Sequence, residues 1–510
     1  MKYNFKNDYT KGCHPNILKA LTESNFSVEE GYGEDTYSLA AAQLIKDKME
    51  HPDAAVYFVS GGTQANLLVI SALLRPYESV IAAATAHIQV HETGAIEATG
   101  HRIQVVDTAD GKLNVQDIQD KLDLFEEVHT TMPRMVYISN STEVGTFYTK
   151  DELKALSAFC RTKGLLLFLD GARLASGLMA KESGLTLKDL GLYTDVFYIG
   201  GTKTGALLGE AIVINNPTLQ QNFKYNIKQR GALLAKGRLL GIQFLELFKD
   251  DLYFKLGEHA NNAAQKLHEG IAALGYPFLT ATQTNQSFPV LPNEVIAKIN
   301  QDYAFYVWKK IDAQSSAIRL VTCWATDLDA VDEFIKDLTI ITKEVAPKKD
   351  KSLQDGSIQI VDYQPQYQAA FRALNEEWIA NYFKMEAKDY ESLDHPEEYI
   401  LAKGGHIKVA LFNNEPLGVC ALIKLNNHAY DFELAKMAVS PKAQGKNMGY
   451  LLGLAVIEKA RALGASTLYL ESNRILKPAI NLYHKLGFNE VKGHTSPYER
   501  SDIQMLLNLK

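Results

Sequence analysis

Over roughly the first 345 residues, short apolar runs alternate with longer segments that have the 3.6-residue period of helices. The runs predicted as buried strands are residues 54–60, 79–86, 102–107, 135–140, 165–170 and 195–200, with helices at 64–74, 89–98 and 150–163. Strands that alternate with helices favour a parallel sheet covered on both faces. From residue 239 to about 275 the pattern is helical, and residues 318–323 predict a later strand. We therefore expect a large α/β domain (1–240) followed by a small α+β subdomain (241–345).

A polar segment ends this pattern. Residues 343–356 are charged, lack apolar periodicity and include Pro347 and Gly356, which is typical of a linker between folding units. We place the linker at 346–356 and a further domain at 357–510. In that domain, strands are predicted at 358–362, 406–412, 417–425, 433–439 and 467–471, and helices at 450–463 and 477–486. This order indicates a mixed α+β fold.

Composition narrows the class of protein. Of the 510 residues, 46% are hydrophobic and 22% are charged, as in ordinary folded proteins, and no apolar run reaches the ~18 residues of a membrane span. The first residues do not resemble a signal peptide. The four cysteines are scattered, without the spacing of a disulfide framework or a zinc site. We therefore expect a cytoplasmic protein.

The charge distribution bears on the partners. The net charge of −7 comes from 53 basic and 60 acidic residues, and from residue 356 onward the two kinds are equal at 17 each. The deficit therefore lies in the first 355 residues, and no basic stripe occurs anywhere. Nucleic acid and anionic membranes are thus excluded as expected partners, and small molecules are favoured.

A glycine-rich turn follows the first predicted strand. The sequence is Ser60-Gly-Gly-Thr-Gln-Ala-Asn66, and a predicted helix comes directly after it. Ligands of α/β sheets bind at the carboxyl ends of the strands, and glycines there let an anion approach the N–H groups of a helix N-terminus. The segment indicates either an ordinary strand-to-helix turn or a phosphate-binding turn.

Two histidines follow the next strand. His87 and His91 are four residues apart and could share a helical face, but the order is not His-Glu-x-x-His and no third ligand is evident, so no metal is predicted. His87 is then either a core or capping histidine, or an imidazole that lies over a planar cofactor.

An aspartate and a lysine end two further strands. Asp170 follows a wholly apolar run, where a carboxylate is costly to bury without a cationic partner; Arg173 or a protonated pyridine nitrogen could supply one. Lys203 lies among small residues. It is either an exposed loop lysine or a partly desolvated one, whose lowered pKa would suit Schiff-base chemistry. Thr202 stands where a P-loop has glycine, which excludes that motif.

In this order, and with the lysine 33 residues after the aspartate, the four features resemble the fold-type I pyridoxal-phosphate enzymes. More closely, the sequence resembles the threonine aldolase and aromatic amino acid β-eliminating lyase group. The segments that carry the resemblance are residues 7–10, 31–35, 85–87, 170–173 (Asp-Gly-Ala-Arg) and 319–322, so it covers nearly all of residues 1–345. It implies a large parallel-sheet domain with a small α+β subdomain.

The resemblance also implies a role for each matching position. Lys203 would hold pyridoxal phosphate, Asp170 would pair with its pyridine nitrogen, and His87 would stack on the ring and act as base at the substrate β-hydroxyl. The residues implied to bind phosphate are Gly62 and Thr63, with Lys228 and Arg230 reaching it from a neighbouring subunit of a homodimer or homotetramer. The residues implied at the substrate carboxylate are Asn7, Arg173 and Arg319, with Asn7 where many threonine aldolases have serine.

The domain after the linker has a glycine-containing turn before a long helix, which is either an ordinary turn or a pyrophosphate cradle. The sequence Gln444-Gly-Lys-Asn-Met-Gly449 resembles the Gln/Arg-x-x-Gly-x-Gly/Ala loop of GNAT acetyltransferases, with Asn447 in the place of the first glycine. Asparagine tolerates positive φ, so the loop can survive this change. The residues implied to bind acetyl-CoA are Val439, Gln444, Gly445, Lys446, Asn447, Met448, Gly449 and Asn473.

Two residues are candidates for catalysis in this domain. Tyr483 lies in a second segment that resembles the GNAT family, residues 479–488, where the family tyrosine protonates the departing coenzyme A thiolate; otherwise it packs on a helix surface. Glu433 is either a general base that acts through water or a solvated strand residue.

Together these features predict a bifunctional enzyme. Its first part would cleave β-hydroxy-α-amino acids to glycine and an aldehyde, and its second would transfer an acetyl group from acetyl-CoA to an amine. Two alternatives remain open: the first part is a β-eliminating lyase or an aminotransferase, and the second is an acyl-CoA-binding sensor.

Overall fold

The computed structural model describes residues 1–125, 127–345, 358–425, 430–443, 446–491 and 500–509. The chain divides into a first unit, Met1–Pro347, and a second unit, Lys348–Lys510. The predicted linker at 346–356 lies outside the described residues. No helix in the described ranges has the length and apolarity needed to cross a bilayer.

The first unit contains strands and helices in alternation. Its strands are β1 (Tyr3–Asn4), β2 (Ala55–Val59), β3 (Glu78–Ala83), β4 (Arg102–Val106), β5 (Met132–Ser139), β6 (Leu166–Asp170), β7 (Val196–Gly200), β8 (Glu210–Ile214), β9 (Gln286–Ser287), β10 (Val290–Pro292), β11 (Tyr303–Ala304), β12 (Tyr306–Lys310) and β13 (Ser315–Val321). Its helices are α1 (Pro15–Glu23), α2 (Thr36–Met49), α3 (Gly62–Leu73), α4 (His87–Val90), α5 (Val115–Asp123), α6 (Lys150–Lys163), α7 (Leu174–Leu178), α8 (Leu187–Tyr193), α9 (Phe223–Gln229), α10 (Arg238–Phe248), α11 (Leu252–Ala273), α12 (Asn293–Ile299) and α13 (Leu328–Val345).

A seven-stranded sheet in the order β2-β8-β7-β6-β5-β3-β4 forms the centre of this unit. All neighbouring pairs are parallel except those of β8, which runs antiparallel to both β2 and β7. Successive side chains enter opposite layers of the core: Phe197 packs in one apolar cluster and Tyr198 in the other. The sheet is therefore covered on both faces, as its apolar strands predict, and the carboxyl ends of its parallel strands meet at one edge.

Local sequence explains where these elements stop. Helix α6 begins with a capping box between Thr149 and Glu152 and ends at Gly164, which has a φ of 67°. The helix predicted at 89–98 is wrong: α4 ends at Val90, because Thr93 and Gly94 adopt φ of 53° and 75°, which a helix cannot contain. A three-residue 3-10 turn covers Glu97–Thr99 instead.

The small sheet after residue 285 has the order β10-β13-β12, with β9 paired to β13. The N-terminal strand β1 pairs in parallel with β11, matching Tyr3 with Tyr303. These two strands form a two-stranded sheet of their own, and the N–H of Val321, at the end of β13, donates to the carbonyl of Phe5 at 2.9 Å. The start of the chain is thus attached beside the small sheet, and it brings Asn7 and Asp8 towards the edge of the large one.

The second unit is built on a mixed seven-stranded sheet in the order β14-β15-β16-β17-β18-β20-β19. Its strands are β14 (Ile358–Asp362), β15 (His406–Phe412), β16 (Glu415–Lys424), β17 (Phe432–Val439), β18 (Thr467–Ser472), β19 (Asn489–Val491) and β20 (Ile503–Asn508), and its α-helices are α14 (Gln368–Tyr382), α15 (Ala387–Asp394), α16 (Met448–Ala462) and α17 (Lys477–Lys485). Strands β17 and β18 are parallel but pair only through Phe432–Leu468 and Glu433–Tyr469. Beyond that point they diverge and leave a cavity between them.

Candidate active sites

The glycine-rich turn lies between β2 and α3. Gly61 is the N-cap of this 12-residue helix and has no side chain to cap it, so the N–H groups of the first turn remain available to an anion. A Cβ on Gly62 would lie 3.0 Å from the hydroxyl oxygen of Tyr198. Glycine therefore allows the turn to lie close against Tyr198, and Gly62 and Thr63 both line a cavity at this edge of the sheet.

Asp170 ends β6 and is buried there with three hydrogen-bond donors. Its Oδ2 accepts from the Tyr137 hydroxyl and, at 3.3 Å, from Nδ2 of Asn66, while Oδ1 accepts from the backbone N–H of Ala172 at 2.9 Å. These donors stabilise a buried carboxylate. Of the two cationic partners left open for Asp170, Arg173 is not one in the structure, because its guanidinium pairs with a different carboxylate.

That carboxylate is Asp8. Nε of Arg173 donates to Asp8 Oδ2 at 2.7 Å and its second nitrogen to Oδ1 at 3.1 Å, while Asn285 Nδ2 donates to Oδ2 at 2.9 Å. Although burial raises it, the charges of Arg173 and Lys203 hold the pKa of Asp8 below its usual value. Arg173 is thus held in place by the N-terminal segment.

Lys203 lies in the turn after β7 and lines the same cavity as Asp170. Desolvation, followed by the charge of Arg173, lowers the pKa of its amine. A lysine with a lowered pKa carries more of the neutral, nucleophilic amine at neutral pH.

Two adjoining cavities bring the site residues together. The inner cavity, about 280 Å³, contains the turn 60–63, Asp170, Tyr198, Lys203 and Glu210. The outer cavity, about 470 Å³, contains Asn7, His91, Trp308 and Arg319. The residues that line both are Tyr9, His87, Glu143, Arg173 and Lys203. A reaction at this shared boundary would take place between one ligand in the inner cavity and another in the outer cavity.

His87 is fixed by acidic residues. Its Nδ1 lies 2.8 Å from Oε1 of Glu92, and its backbone N–H donates to Oε1 of Glu143 at 3.0 Å. The Glu92 side chain has no exposed area and also accepts from Asn66 Nδ2 at 2.7 Å. Because the Glu92 carboxylate accepts this hydrogen bond, Nδ1 of His87 carries the hydrogen. Its Nε2 is then free of hydrogen and can accept a proton from another group. A continuous hydrogen-bond chain therefore joins Asp170, Asn66, Glu92 and His87.

Arg319, on β13, faces the outer cavity. Nε and a terminal nitrogen donate to Oε1 of Gln286 at 3.1 and 2.7 Å, and the guanidinium carbon lies 5.3 Å from the centre of the Trp308 ring. Burial and the neighbouring Arg173 charge lower the pKa of Arg319 to about 10. Gln286 and Trp308 hold the group without neutralising it, so it attracts an anion.

Several residues of this site escaped the sequence analysis. Glu92 and Glu143 were missed because each is separated from the strand before it by a turn. The signal that could have found them is the one that identified Asp170, a polar residue soon after a buried strand. Burial and the charge of Asp170 raise the pKa of Glu143, so it holds its proton more readily than an ordinary glutamate. Lys228 and Arg230 line neither cavity in the described first unit; Nζ of Lys228 lies 4.4 Å from the centre of the Tyr32 ring.

In the second unit, the space between β17 and β18 is a cavity of about 250 Å³. The predicted residues that line it are Glu433, Val439, Asn473 and Tyr483, joined by Trp378, Lys436 and Arg500. Tyr483 is buried, and burial raises the pKa of its phenol, so that it remains a proton donor at neutral pH. We refer to this space as the β17–β18 cavity.

The loop before α16 is only partly described, because Gln444 and Gly445 lie outside the described residues. Asn447 caps α16 with a φ of 57°, the left-handed conformation that glycine would adopt. Met448 is buried in the core, and a Cβ on Gly449 would lie 3.2 Å from Leu482. Lys446 places Nζ 4.6 Å from the centre of the Phe412 ring. None of the predicted loop residues Lys446, Asn447, Met448 and Gly449 is among the residues that line the β17–β18 cavity.

A charged cluster supports the wall of this cavity. Asp389 accepts from Nζ of Lys436 at 2.6 Å and from Arg500 at 2.6 and 2.8 Å. Although burial raises it, the hydrogen bonds from Arg500 and the charge of Lys436 lower the pKa of Asp389 to about 2. Lys436 has a φ of 51° at a register shift between β16 and β17, so the cluster anchors the strand where it bulges.

Comparison with known proteins identifies both units. Residues 7–293 match the beta-eliminating lyase family model, and residues 368–488 match the acetyltransferase (GNAT) family model. The chain belongs to the beta-eliminating lyase family: its first unit is a threonine aldolase-like lyase domain with the fold-type I architecture, and its second is a GNAT acetyltransferase domain. Both resemblances noted in the sequence are confirmed.

Individual relatives agree. The low specificity L-threonine aldolase of Pseudomonas aeruginosa is 33% identical over 344 residues, which are 66% of this chain and 97% of that protein. A solved threonine aldolase of Leishmania major is 48% identical, with a TM-score of 0.66, over 67% of this chain and 99% of its own. For the second unit, the N-acetyltransferase YjgM of Escherichia coli is 34% identical over 94 residues, 18% of this chain and 56% of that protein.

Proposed function

We propose that the first unit binds pyridoxal phosphate in the inner cavity and cleaves β-hydroxy-α-amino acids to glycine and an aldehyde. The observation that carries this is the set of groups on one cavity: the open N-terminus of α3 for a phosphate, the Asp170 carboxylate for a pyridine nitrogen, and Lys203 for an aldehyde. Ser141 also lines the cavity, and its buried hydroxyl has no partner in the described residues. The donor set therefore suits this cofactor, which when bound supplies an electron sink for the bond that breaks.

The residues around that sink have separate tasks. Arg319 and Arg173 both line the outer cavity but differ in their partners. The charge of Arg173 is neutralised by Asp8, whereas Arg319 is held only by neutral groups. A substrate carboxylate therefore docks on Arg319 first, next to the planar Trp308 ring. His87 lies at the boundary of the two cavities, where its Nε2 accepts the proton of the β-hydroxyl, and Glu92 stabilises the charge that the imidazole gains.

Glu143 is the second acid–base group within reach of this boundary. It lines both cavities and contacts the backbone of His87. With its raised pKa it is suited to return a proton to the product as the aldehyde leaves.

Product analysis tests the lyase proposal against its alternatives. Incubation of the full chain with pyridoxal phosphate and threonine is expected to give glycine and acetaldehyde in equal amounts. A 2-oxo acid with ammonia would establish β-elimination instead, and a 2-oxo acid formed only with an amino-group acceptor would establish transamination. The variant Lys203→Ala is expected to abolish product.

We further propose that the second unit transfers an acetyl group from acetyl-CoA to an amine, with the donor in the β17–β18 cavity. Tyr483 and Glu433 both line that cavity, which suits an acid for the thiolate and a base, acting through water, for the amine. The test is release of coenzyme A with a panel of amino acids and amines, for the wild type and for Tyr483→Phe. Turnover that Tyr483→Phe reduces by ~10² or more supports catalysis, whereas tight binding without turnover supports a sensor.

The basic segment of α9 remains a proposal as well. The family resemblance supports a homodimer or homotetramer in which Lys228 and Arg230 reach the phosphate of a neighbouring subunit. Sedimentation of the full chain, and the affinity of Arg230→Ala for pyridoxal phosphate, test this arrangement.

A further inference from the structure

Glu210 occupies an unusual place in the sheet. It is the first residue of β8, the antiparallel strand between β2 and β7, and it pairs with Val59 on one side and Gly200 on the other. The glycine-rich turn follows Val59, and the turn that carries Lys203 follows Gly200. Glu210 therefore lies between the proposed phosphate turn and the lysine turn, and its side chain lines the inner cavity with both.

The contacts of Glu210 leave its charge uncompensated. Only 4% of the residue is exposed, and its Oε2 accepts from the backbone N–H of Gly201 at 3.0 Å. Within the described ranges it has no lysine, arginine or histidine partner within the 4.0 Å of an ion pair. A carboxylate buried in this way is costly unless a proton neutralises it.

Neighbouring groups indicate where that proton resides. Burial raises the pKa of Glu210 to about 8, outweighing the charge of Lys203 and the hydrogen bonds from Thr202 and Gly201, which lower it; Asp170 on β6 raises it further. Tyr198 on β7 and Tyr253 on α11 also face it, and burial raises the pKa of each phenol, so that both are neutral. At neutral pH Glu210 is therefore mainly a carboxylic acid, in the same cavity as the Lys203 amine.

We propose that Glu210 is the acid–base partner of Lys203, passing protons as the lysine forms and releases its C=N bond to an aldehyde in the inner cavity. The inference rests on the proposed role of Lys203 in holding the cofactor. The Lys203 nitrogen supplies the electron pair of the new bond and loses both hydrogens. The aldehyde oxygen takes one of those hydrogens from the nitrogen and a second proton from Glu210, and it leaves as water; Glu210 then recovers the other proton of the nitrogen. Glu210 thus ends in the state in which it began.

A purely structural role would rest on the hydrogen bonds that Glu210 accepts from Gly201 and Thr202. Glu210→Gln separates the two roles, because its amide oxygen still accepts from the Gly201 N–H while the side chain no longer exchanges a proton. Glu210→Asp keeps a titratable acid in a shorter side chain. Glu78→Gln is the matched control, because Glu78 is also a buried glutamate at the start of a strand, accepts from a backbone N–H at 2.8 Å and lies outside both cavities.

The experiment uses the full chain stripped of cofactor and mixed rapidly with pyridoxal 5'-phosphate. The rise of the visible absorbance band is followed from pH 6 to 10, and borohydride trapping with peptide mass analysis locates the adduct on Lys203. Glu210→Gln is expected to slow the rise by about 100-fold and to lose the decline in rate that the wild type shows as pH rises through about 8. Glu210→Asp is expected to keep a decline, but with a lower rate and at a displaced pH, because its shorter side chain sets the carboxyl group back from the cavity; Glu78→Gln matches the wild type.

Three results would overturn the inference, and they are distinguishable. If the wild type forms the adduct on Lys203 and Glu210→Gln forms it at the same rate with the same pH profile, Glu210 has no acid–base role. If the wild type forms no adduct on Lys203, the proposed function itself fails, and the role of Glu210 fails with it. If Glu210→Gln does not fold, Glu210→Asp decides instead. A rate and a pH profile equal to those of the wild type in Glu210→Asp would likewise refute the inference.

Discussion

Replacement of Asp8 by asparagine isolates the ion pair that holds Arg173. The substitution keeps the size of the side chain but leaves a guanidinium that is only 8% exposed without its counter-ion. Removing one partner of a buried pair costs about 3–5 kcal/mol. We therefore expect the unfolding equilibrium of the first unit to shift by roughly 10²- to 10⁴-fold.

A substrate carboxylate should compensate for this loss. Because Arg173 lines the cavity in which the substrate would dock, an amino acid ligand can supply the missing negative charge. We expect threonine or glycine to raise the free energy of unfolding of Asp8→Asn by more than it raises that of the wild type. The matched control is Asp332→Asn, which removes an exposed ion pair to Lys266 and is expected to cost at most about 1 kcal/mol.

The assay is equilibrium unfolding in urea, with and without the ligand, repeated at several pH values. The folded-state pKa of Asp8 lies below its usual value, so the ion pair contributes fully above the unfolded-state pKa and is lost as pH falls. The difference between wild type and Asp8→Asn should therefore shrink from pH 6 to pH 3. Equal stability of the two proteins at pH 7, or a ligand effect no larger in the variant, would refute the placement of Arg173.

Three further outcomes are expected. Glu92→Gln should lower the rate of threonine cleavage by roughly 10- to 100-fold, the ~1.5–3 kcal/mol of a hydrogen bond to a charged group, whereas Glu97→Gln at an exposed site should leave it unchanged. Asp389→Asn should destabilise the second unit by about 3 kcal/mol. Since the pKa of Asp389 is lowered to about 2, the contribution of Asp389 to stability is complete at neutral pH and disappears as pH falls through that value. Hydrogen exchange of the β17 backbone, followed as the pH is lowered, would show this loss. Asn447→Ala should cost about 1–2 kcal/mol at its left-handed φ while Asn447→Gly should not, as paired thermal melts would reveal.

The sequence was sufficient for the parts of the molecule that depend on local pattern. The apolar strands and the turns that follow them placed Gly62, Asp170 and Lys203 correctly at one edge of the sheet, because the parallel strands of an α/β sheet share that edge. The unusual φ of Asn447 also followed from its position in a recognisable loop.

Contacts between distant segments could not be predicted. Asp8 and Arg173 are 165 positions apart, and nothing in either local sequence specifies that they pair rather than Arg173 and Asp170. The relay from Asp170 to His87 passes through Asn66, on a helix face that the periodicity marks only as buried. Glu210 was overlooked because β8 reverses direction after a short turn, so the rule for parallel strand ends does not apply to it.

The helix predicted at 89–98 shows a different limit. Its apolar spacing suits a helix, but a threonine and a glycine with positive φ end the helix early. That early end turns the buried Glu92 side chain towards His87, which a continuous helix would not allow at a spacing of five residues. The helical pattern of residues 89–98 is therefore interrupted at the point where the contact between Glu92 and His87 needs the chain to turn.

The proposed lyase reaction depends above all on Lys203 as the residue that holds the cofactor. The most direct measurement is borohydride reduction of the full chain with bound pyridoxal phosphate, followed by mass analysis of its peptides. We expect one reduced adduct, on Lys203, whose formation parallels the visible absorbance and which a saturating β-hydroxy-α-amino acid removes. An adduct on another lysine, or visible absorbance and threonine cleavage retained by Lys203→Ala, would contradict it.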